Sequence, residues 1–242
     1  MPPPEIQHSD DTRSEVLPDG PEIKWSFQSP SDRDDWDDWT QSLSDWTVFH
    51  GRDWAQVISR VFRFKCRYLV GTRRGRLDVL VPLMEVNSWI TGRRIVGIPF
   101  TDECPPLLRD AKDWSLIRQE LSRRTQSANW RYLEIKGLAH VVEPSAPSLR
   151  YEGHRLDLTA INDDWLRTCS GSHRRLIRKA EKHDIKVTVS TSETDVRTFY
   201  DLFCQTRRKH GAPPQPYKLF ESIHRRLISQ NKGWIFTAHC DE

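Results

Sequence analysis

The chain has 242 residues, of which 36% are hydrophobic and 29% charged, with ten Trp and nine Phe; this excludes a disordered chain and a peptide scaffold and allows one large domain or two small ones. The net charge of +3 conceals an asymmetry, because residues 1–45 hold twelve acids and three bases, leaving 22 acids against 34 bases, about +12, in the rest. Such a basic body attracts polyanions, with phosphate-bearing substrates, tRNA and an anionic membrane face all eligible.

Residues 1–20 read as a flexible tail, with Pro2, Pro3, Pro4 and Pro18 and few large apolar residues. The acidic, Pro-rich start lacks the basic and apolar runs of a signal peptide. A short strand is expected over Lys24–Phe27. From Ser31, which can cap a helix, Trp36, Trp39, Leu43 and Trp46 recur at helical spacing, and Asp32, Asp34 and Asp35 complement the positive helix end. A second amphipathic helix covers Arg52–Phe62, with Trp54, Val57, Ile58 and Val61 on one face.

Strands follow over Lys65–Gly71 and Leu77–Val86, joined at Arg73-Arg74-Gly75, then over Arg94–Ile98. The most apolar stretch, Val79–Val86, is too short to span a membrane and contains Pro82. Ala111–Ser127 is helical with Trp114, Ile117 and Leu121 inward, and Tyr132–Lys136 is a strand. The loop Leu138–Leu149, with Pro144 and Pro147, marks a boundary between a first domain, residues 21–150, and a second, residues 151–242.

In the second part we expect a strand over Tyr151–Leu158, a helix over Asp163–Thr168, a basic helix over Ser172–His183 and a strand over Ile185–Val189. Helices over Thr194–Lys209 and Tyr217–Gln230 lead into a strand over Trp234–His239. Helices and strands mix throughout, so the class is α/β or α+β.

Chemistry concentrates in two basic segments. Six Arg or Lys face two acids over Ser172–Lys186. Arg174 and Arg175 fall in the first helical turn, where the dipole is already positive and an anion would compensate their repulsion. Guanidinium groups there suit a phosphate or a carboxylate. The bland alternative is a solvated basic face in which Arg178, Lys179 and Lys182 point to water or pair with Glu181 and Asp184. The second segment runs from Thr206 to Pro216 and includes Arg207, Arg208 and Lys209, where cations at a helix C-terminus and a terminating Gly211 have a sufficient structural explanation. Five cysteines, odd in number and never in a C-x-x-C pair, suggest neither a disulfide framework nor a zinc site, which fits a reducing, cytoplasmic setting. Dinucleotide, P-loop, zinc-protease and nucleophile-elbow motifs are missing from the sequence.

Several segments, taken in order, resemble the Fem-like group of GNAT-superfamily acyltransferases. They are His50 with Trp54 in H-x-x-x-W, V-L-V-P-L-M-E-V, S-W-I-T-G-R-R-I-V-G-I-P-F, R-R-L-I-R-K-A-E-K-H-D-I-K-V and T-R-R-K-H-G-A-P-P-Q-P-Y-K-L-F. The resemblance implies tandem GNAT-like domains, with mixed sheets flanked by helices, a groove at their junction and a second domain that is incomplete at Glu242. It implies transfer of an aminoacyl or acyl group onto an amine of a peptidoglycan or polysaccharide precursor, in contact with the inner membrane face. The donor it implies is charged tRNA and no cofactor is held; the GNAT pyrophosphate loop is only approached at Arg208–Pro213, which argues against acyl-CoA. Arg174, Arg175, Arg178 and Lys179 would line the groove, with Arg207, Arg208 and Tyr217 near it and His50 and Trp54 at a domain edge. No general base is assigned. The alternatives are a basic RNA-binding protein without catalysis and an inactive scaffold remnant.

Overall fold

The computed structural model describes residues 22–101, 103–137, 148–154, 157, 159 and 164–240. The tail at residues 1–20 and most of the expected boundary loop lie outside them.

The centre of the fold is one long antiparallel ribbon. Its first limb is β2 (Lys65–Cys66) and β3 (Tyr68–Arg73), and its second is β4 (Arg76–Val81) and β5 (Leu83–Ser88). Arg74 and Gly75 turn between them with φ of 51° and 81°, the pair of positive angles that a two-residue hairpin turn requires. The pairing runs in one register from Leu69 opposite Val81, through a bond from Arg67 N–H to Leu83 O of 3.0 Å, to Cys66 opposite Met84. The two expected strands are therefore each divided, because the ribbon leaves one sheet for another at Arg67 and Pro82. Proline has no N–H to give to a ladder and is tolerated at such a junction.

At the turn end the ribbon is flanked by β1 (Lys24–Gln28) and β7 (Leu107–Leu108), giving the order β1-β3-β4-β7. At the other end β6 (Gly92–Gly97) and β8 (Leu133–Glu134) extend it as β2-β5-β6-β8, with only β6 and β8 parallel. The near-continuous apolar run of the sequence is explained by burial on both faces. Tyr68, Val70, Leu80 and Met84 point to one buried cluster, which holds Trp36, Leu43, Trp54, Val57 and Ile58. Leu69, Val79, Val81 and Leu83 point to the other, with Ile117 and Leu121. Helix α2 (Arg52–Phe62) covers the first face and α3 (Trp114–Ser127) the second.

Gly71 lies flat under Trp25, and a Cβ there would stand 2.7 Å from that ring and 2.9 Å from Ile23. Gly71→Ala is expected to cost about 1–3 kcal/mol in urea unfolding, an overpacking penalty; a loss below about 0.5 kcal/mol, the surface-substitution range, would show that β1 yields freely.

Two expectations about the first helix need correction. Helix α1 covers only Trp36–Thr40, because the chain turns through Ser42 and Ser44 to Asp45 at φ 62°. The residue capping the preceding 3-10 turn is Ser29, not Ser31: its Oγ accepts from Ser31 N–H, and Asp32 accepts from Ser29 N–H. All four residues of the expected stripe nevertheless reach the core, since Trp36 and Leu43 are buried and Trp39 and Trp46 pack against them.

In the second part, Tyr151–His154 has no regular structure, so the strand expected there is not formed among the described residues. Helices α4 (Trp165–Thr168), α5 (Gly171–Lys182), α6 (Glu193–Lys209) and α7 (Tyr217–Arg226) follow the expected order. Strands β9 (Lys186–Ser190) and β10 (Ile235–His239) form an antiparallel pair. Its inner face, Ile235 and Thr237, is buried and α6 packs against β10, while Val187, Val189 and Phe236 on the other face are exposed. Helix α7 docks on the first part: Leu219 and Leu227 join the cluster of Trp54 and Ile58, and Asp53 pairs with Lys232 at 2.6 Å and with Arg226 at 3.6 Å.

Candidate functional site

Helix α5 begins where Ser170 Oγ accepts the His173 N–H, and its first turn contains no acid. None of its residues is buried. Arg174 donates to the Arg167 carbonyl, at the end of α4, at 3.1 Å, which holds one guanidinium over the helix start. Arg175, Arg178 and Lys179 are exposed and have no ion-pair partner among the described residues. Arg178, Lys179 and Lys182 face solvent, as the solvated-face alternative also expects, and do not pair with Glu181 or Asp184; Asp184 lies 3.8 Å from Lys186. Free amides, a positive helix end and unpaired cations thus coincide over the first two turns, which suits an anion as well as it suits solvent.

The second basic segment is built differently. Arg207 donates through Nε and Nη2 to the Pro213 carbonyl at 3.3 and 3.1 Å, and so secures the loop after α6. Arg208 is exposed. Tyr217 opens α7 and meets Tyr200 edge-on at 5.1 Å, with Arg197 lying 4.9 Å from its ring centre. Tyr200 Oη donates to the Gln215 carbonyl at 3.1 Å. Tyr217 Oη and Gln215 Oε1 are buried without a hydrogen-bond partner, which is an expensive condition. No hydrogen bond or ion pair among the described residues joins this group to α5.

His50 and Trp54 lie in the interior. The His50 ring is fully buried: Nδ1 accepts the Thr47 N–H at 3.0 Å, and Nε2 faces the Pro105 carbonyl at 2.9 Å and so must carry the proton. Burial lowers its pKa, against a smaller opposite influence of the Pro105 carbonyl. Both nitrogens are occupied by protein, so His50 ties the turn before α2 to the loop before β7 and is not open to a ligand. Trp54 packs edge-on against Phe49 on the inner side of α2.

Sequence reasoning passed over His224 and Gln215. His224 Nε2 donates to Thr191 O at 2.9 Å, leaving a buried Nδ1 without a partner. Gln215 falls within the T-R-R-K-H-G-A-P-P-Q-P-Y-K-L-F segment, whereas His224 stands in no motif and only its tertiary contacts single it out. Nucleophilic thiols are disfavoured at two positions, since burial pushes Cys66 up to about 11 and Cys104 up to about 12. Among the described residues no group of His, Cys, Asp and Glu could hold a metal ion, and no helix is long and apolar enough to cross a membrane.

Residues 167–242, from the end of α4 onward, match the family of the acetyltransferase (GNAT) domain. The chain is similar in fold to FemX in its crystal structure, with a TM-score of 0.56 at 15% identity over 90% of this chain and 58% of that one. The chain therefore spans less than two thirds of the length of FemX. No curated protein matches it in sequence. The domain match covers the second part of the chain, and the likeness to FemX is one of mixed α/β fold.

Proposed function

We propose that the protein is an acyltransferase that moves an aminoacyl or acyl group onto an amine of a peptidoglycan or polysaccharide precursor. The observation that carries this reading is the start of α5, where Arg174, Arg175, Arg178 and Lys179 gather without neutralising acids inside the segment that matches the GNAT domain. The fold likeness to FemX supports the Fem-like character.

In the proposed step the acceptor nitrogen attacks the ester carbonyl of a charged tRNA. The C–N bond forms, the C–O bond to the ribose breaks, and the proton lost from the amine ends on the departing ribose oxygen. The ester is already activated, so the protein's task is to hold two anionic reactants in line, which needs no protein nucleophile. The α5 arginines bind the phosphates or carboxylate of the acceptor. Aminoacyl-tRNA fits as donor better than acyl-CoA because Pro213 stands where the phosphate-binding loop of an acyl-CoA enzyme calls for a small residue and Arg207 is spent on its carbonyl.

The test is transfer of a labelled amino acid from charged tRNA to a muropeptide amine, comparing the full chain with Arg174→Ala combined with Arg175→Ala. One lost charge-assisted hydrogen bond is worth about 1.5–3 kcal/mol, so acceptor KM should rise about tenfold or more, with a shallower salt dependence. Unchanged KM would remove the acceptor site from α5. Equal binding of charged and uncharged tRNA with no transfer would replace the enzyme reading with simple RNA binding.

A further inference from the structure

The turn between β5 and β6 carries two highly exposed apolar side chains that are adjacent in sequence. Trp89 is 96% exposed and Ile90 71% exposed, side by side at the tip of a hairpin whose strands pair from Leu83 opposite Gly97 to Ser88 opposite Gly92. An indole that meets solvent on all sides forfeits one of the largest hydrophobic contributions a residue can make.

The tip is held in shape. Ser88 Oγ accepts from the N–H groups of Ile90 and Thr91, both at 3.3 Å, Arg94 donates to Thr91 Oγ1, and Gly92 takes the positive φ of 77° that closes the turn. The projection of Trp89 and Ile90 is thus specified by local bonds.

The surroundings are cationic. Arg93 and Arg94 follow the tip on β6, and the Arg131 N–H donates to the Arg93 carbonyl at 2.8 Å, which brings a third guanidinium to the same end of the sheet. Exposed Tyr132 is next to it. No acid occurs from Val86 to Val96, and Glu85 behind them is covered by Arg93 at 2.8 Å and Arg67 at 3.3 Å.

We infer that the Trp89–Ile90 tip, flanked by Arg94 and Arg131, docks this protein onto an anionic lipid surface. Indole and tyrosine rings favour the boundary between headgroups and acyl chains, and cations just behind them meet the lipid phosphates. A folded protein partner is a poorer fit, because two apolar residues on a narrow tip fall far short of the roughly 1,200–2,000 Å² of a stable protein interface. The inference assigns residues to the membrane contact that the Fem-like resemblance implies, and it concerns where the protein sits and not what it transfers.

The full chain should be sedimented with vesicles of phosphatidylcholine alone and of phosphatidylcholine with phosphatidylglycerol. Binding is expected to the anionic vesicles, weakened about tenfold or more in Trp89→Ser combined with Ile90→Ser, as losing two interfacially buried apolar side chains requires. Arg94→Gln with Arg131→Gln should weaken anionic binding and leave the neutral vesicles unaffected. Should the serine variant not fold, quenching of wild-type fluorescence by lipid brominated near the headgroup, reduced in Trp89→Phe, is the equivalent supporting result. Failure of the wild type to bind anionic vesicles, undiminished binding by the folded serine variant, or quenching that ignores Trp89 would each overturn the inference.

Discussion

Asp78→Ala is expected to destabilise the protein by about 3–5 kcal/mol, the cost of removing one partner from a buried ion network. The Asp78 side chain is 1% exposed on β4 and accepts from Arg73 Nη1 at 3.1 Å and Arg76 Nε at 2.9 Å, with Arg109 Nε at 3.3 Å. Arg73 also grips Asp113, at the start of α3, through two bonds of 2.8 and 2.6 Å. The network therefore bolts the β3–β4 hairpin to α3, and without Asp78 three guanidinium groups repel one another around a hole. Burial alone would raise the Asp78 pKa, but the bonds from Arg76 and Arg73 outweigh it and the net shift is downward. A depressed carboxylate stabilises the fold above its unfolded pKa and loses that contribution as pH falls through the folded value. Urea unfolding followed by Trp fluorescence checks both points; a loss under about 1 kcal/mol, the range of exposed pairs, would mean the network is spectator charge.

The second large effect is expected at His50. His50→Ala removes a buried ring, leaves Thr47 N–H and Pro105 O without partners, and should cost about 3 kcal/mol by the combined cavity and hydrogen-bond penalties. The turn is further anchored by Trp36, whose Nε1 donates to the His50 carbonyl at 3.2 Å. Because burial lowers the folded pKa of His50, the unfolded chain binds its proton first as pH falls. Stability should be constant above about pH 6.5 and decline below it, by up to about 1.4 kcal/mol per pH unit until the folded pKa is reached. His50→Gln, measured across the same range, should lose that decline between pH 7 and 5 (roughly, around the imidazole pKa) even if its stability is lower. An identical pH profile in the variant would assign the titration elsewhere.

Local pattern was enough for α2, whose bounds follow from its apolar stripe, for the Arg74-Gly75 turn, and for α5, α6 and α7 within a few residues, because each of these depends on periodicity or on positive φ angles that a short window contains. The basic character of α5 was equally legible, since it is a property of consecutive residues. The stripe from Trp36 to Trp46 was read as one helix and is instead a single turn followed by bends. Helical spacing records which residues seek the core, and the bends bring Leu43 and Trp46 there as well.

What the sequence determined by itself is thus the longer helices, the apolar ribbon and the cationic helix start, all consequences of forces acting over a few residues. Only the tertiary structure decided that one ribbon serves two sheets, that His50 is spent on Pro105 across 55 positions and Arg73 on Asp113 across 40, and that Trp89 faces outward while Trp36 does not. Those outcomes rest on which distant groups meet in space, and no local preference for dihedral angle, charge or burial encodes that.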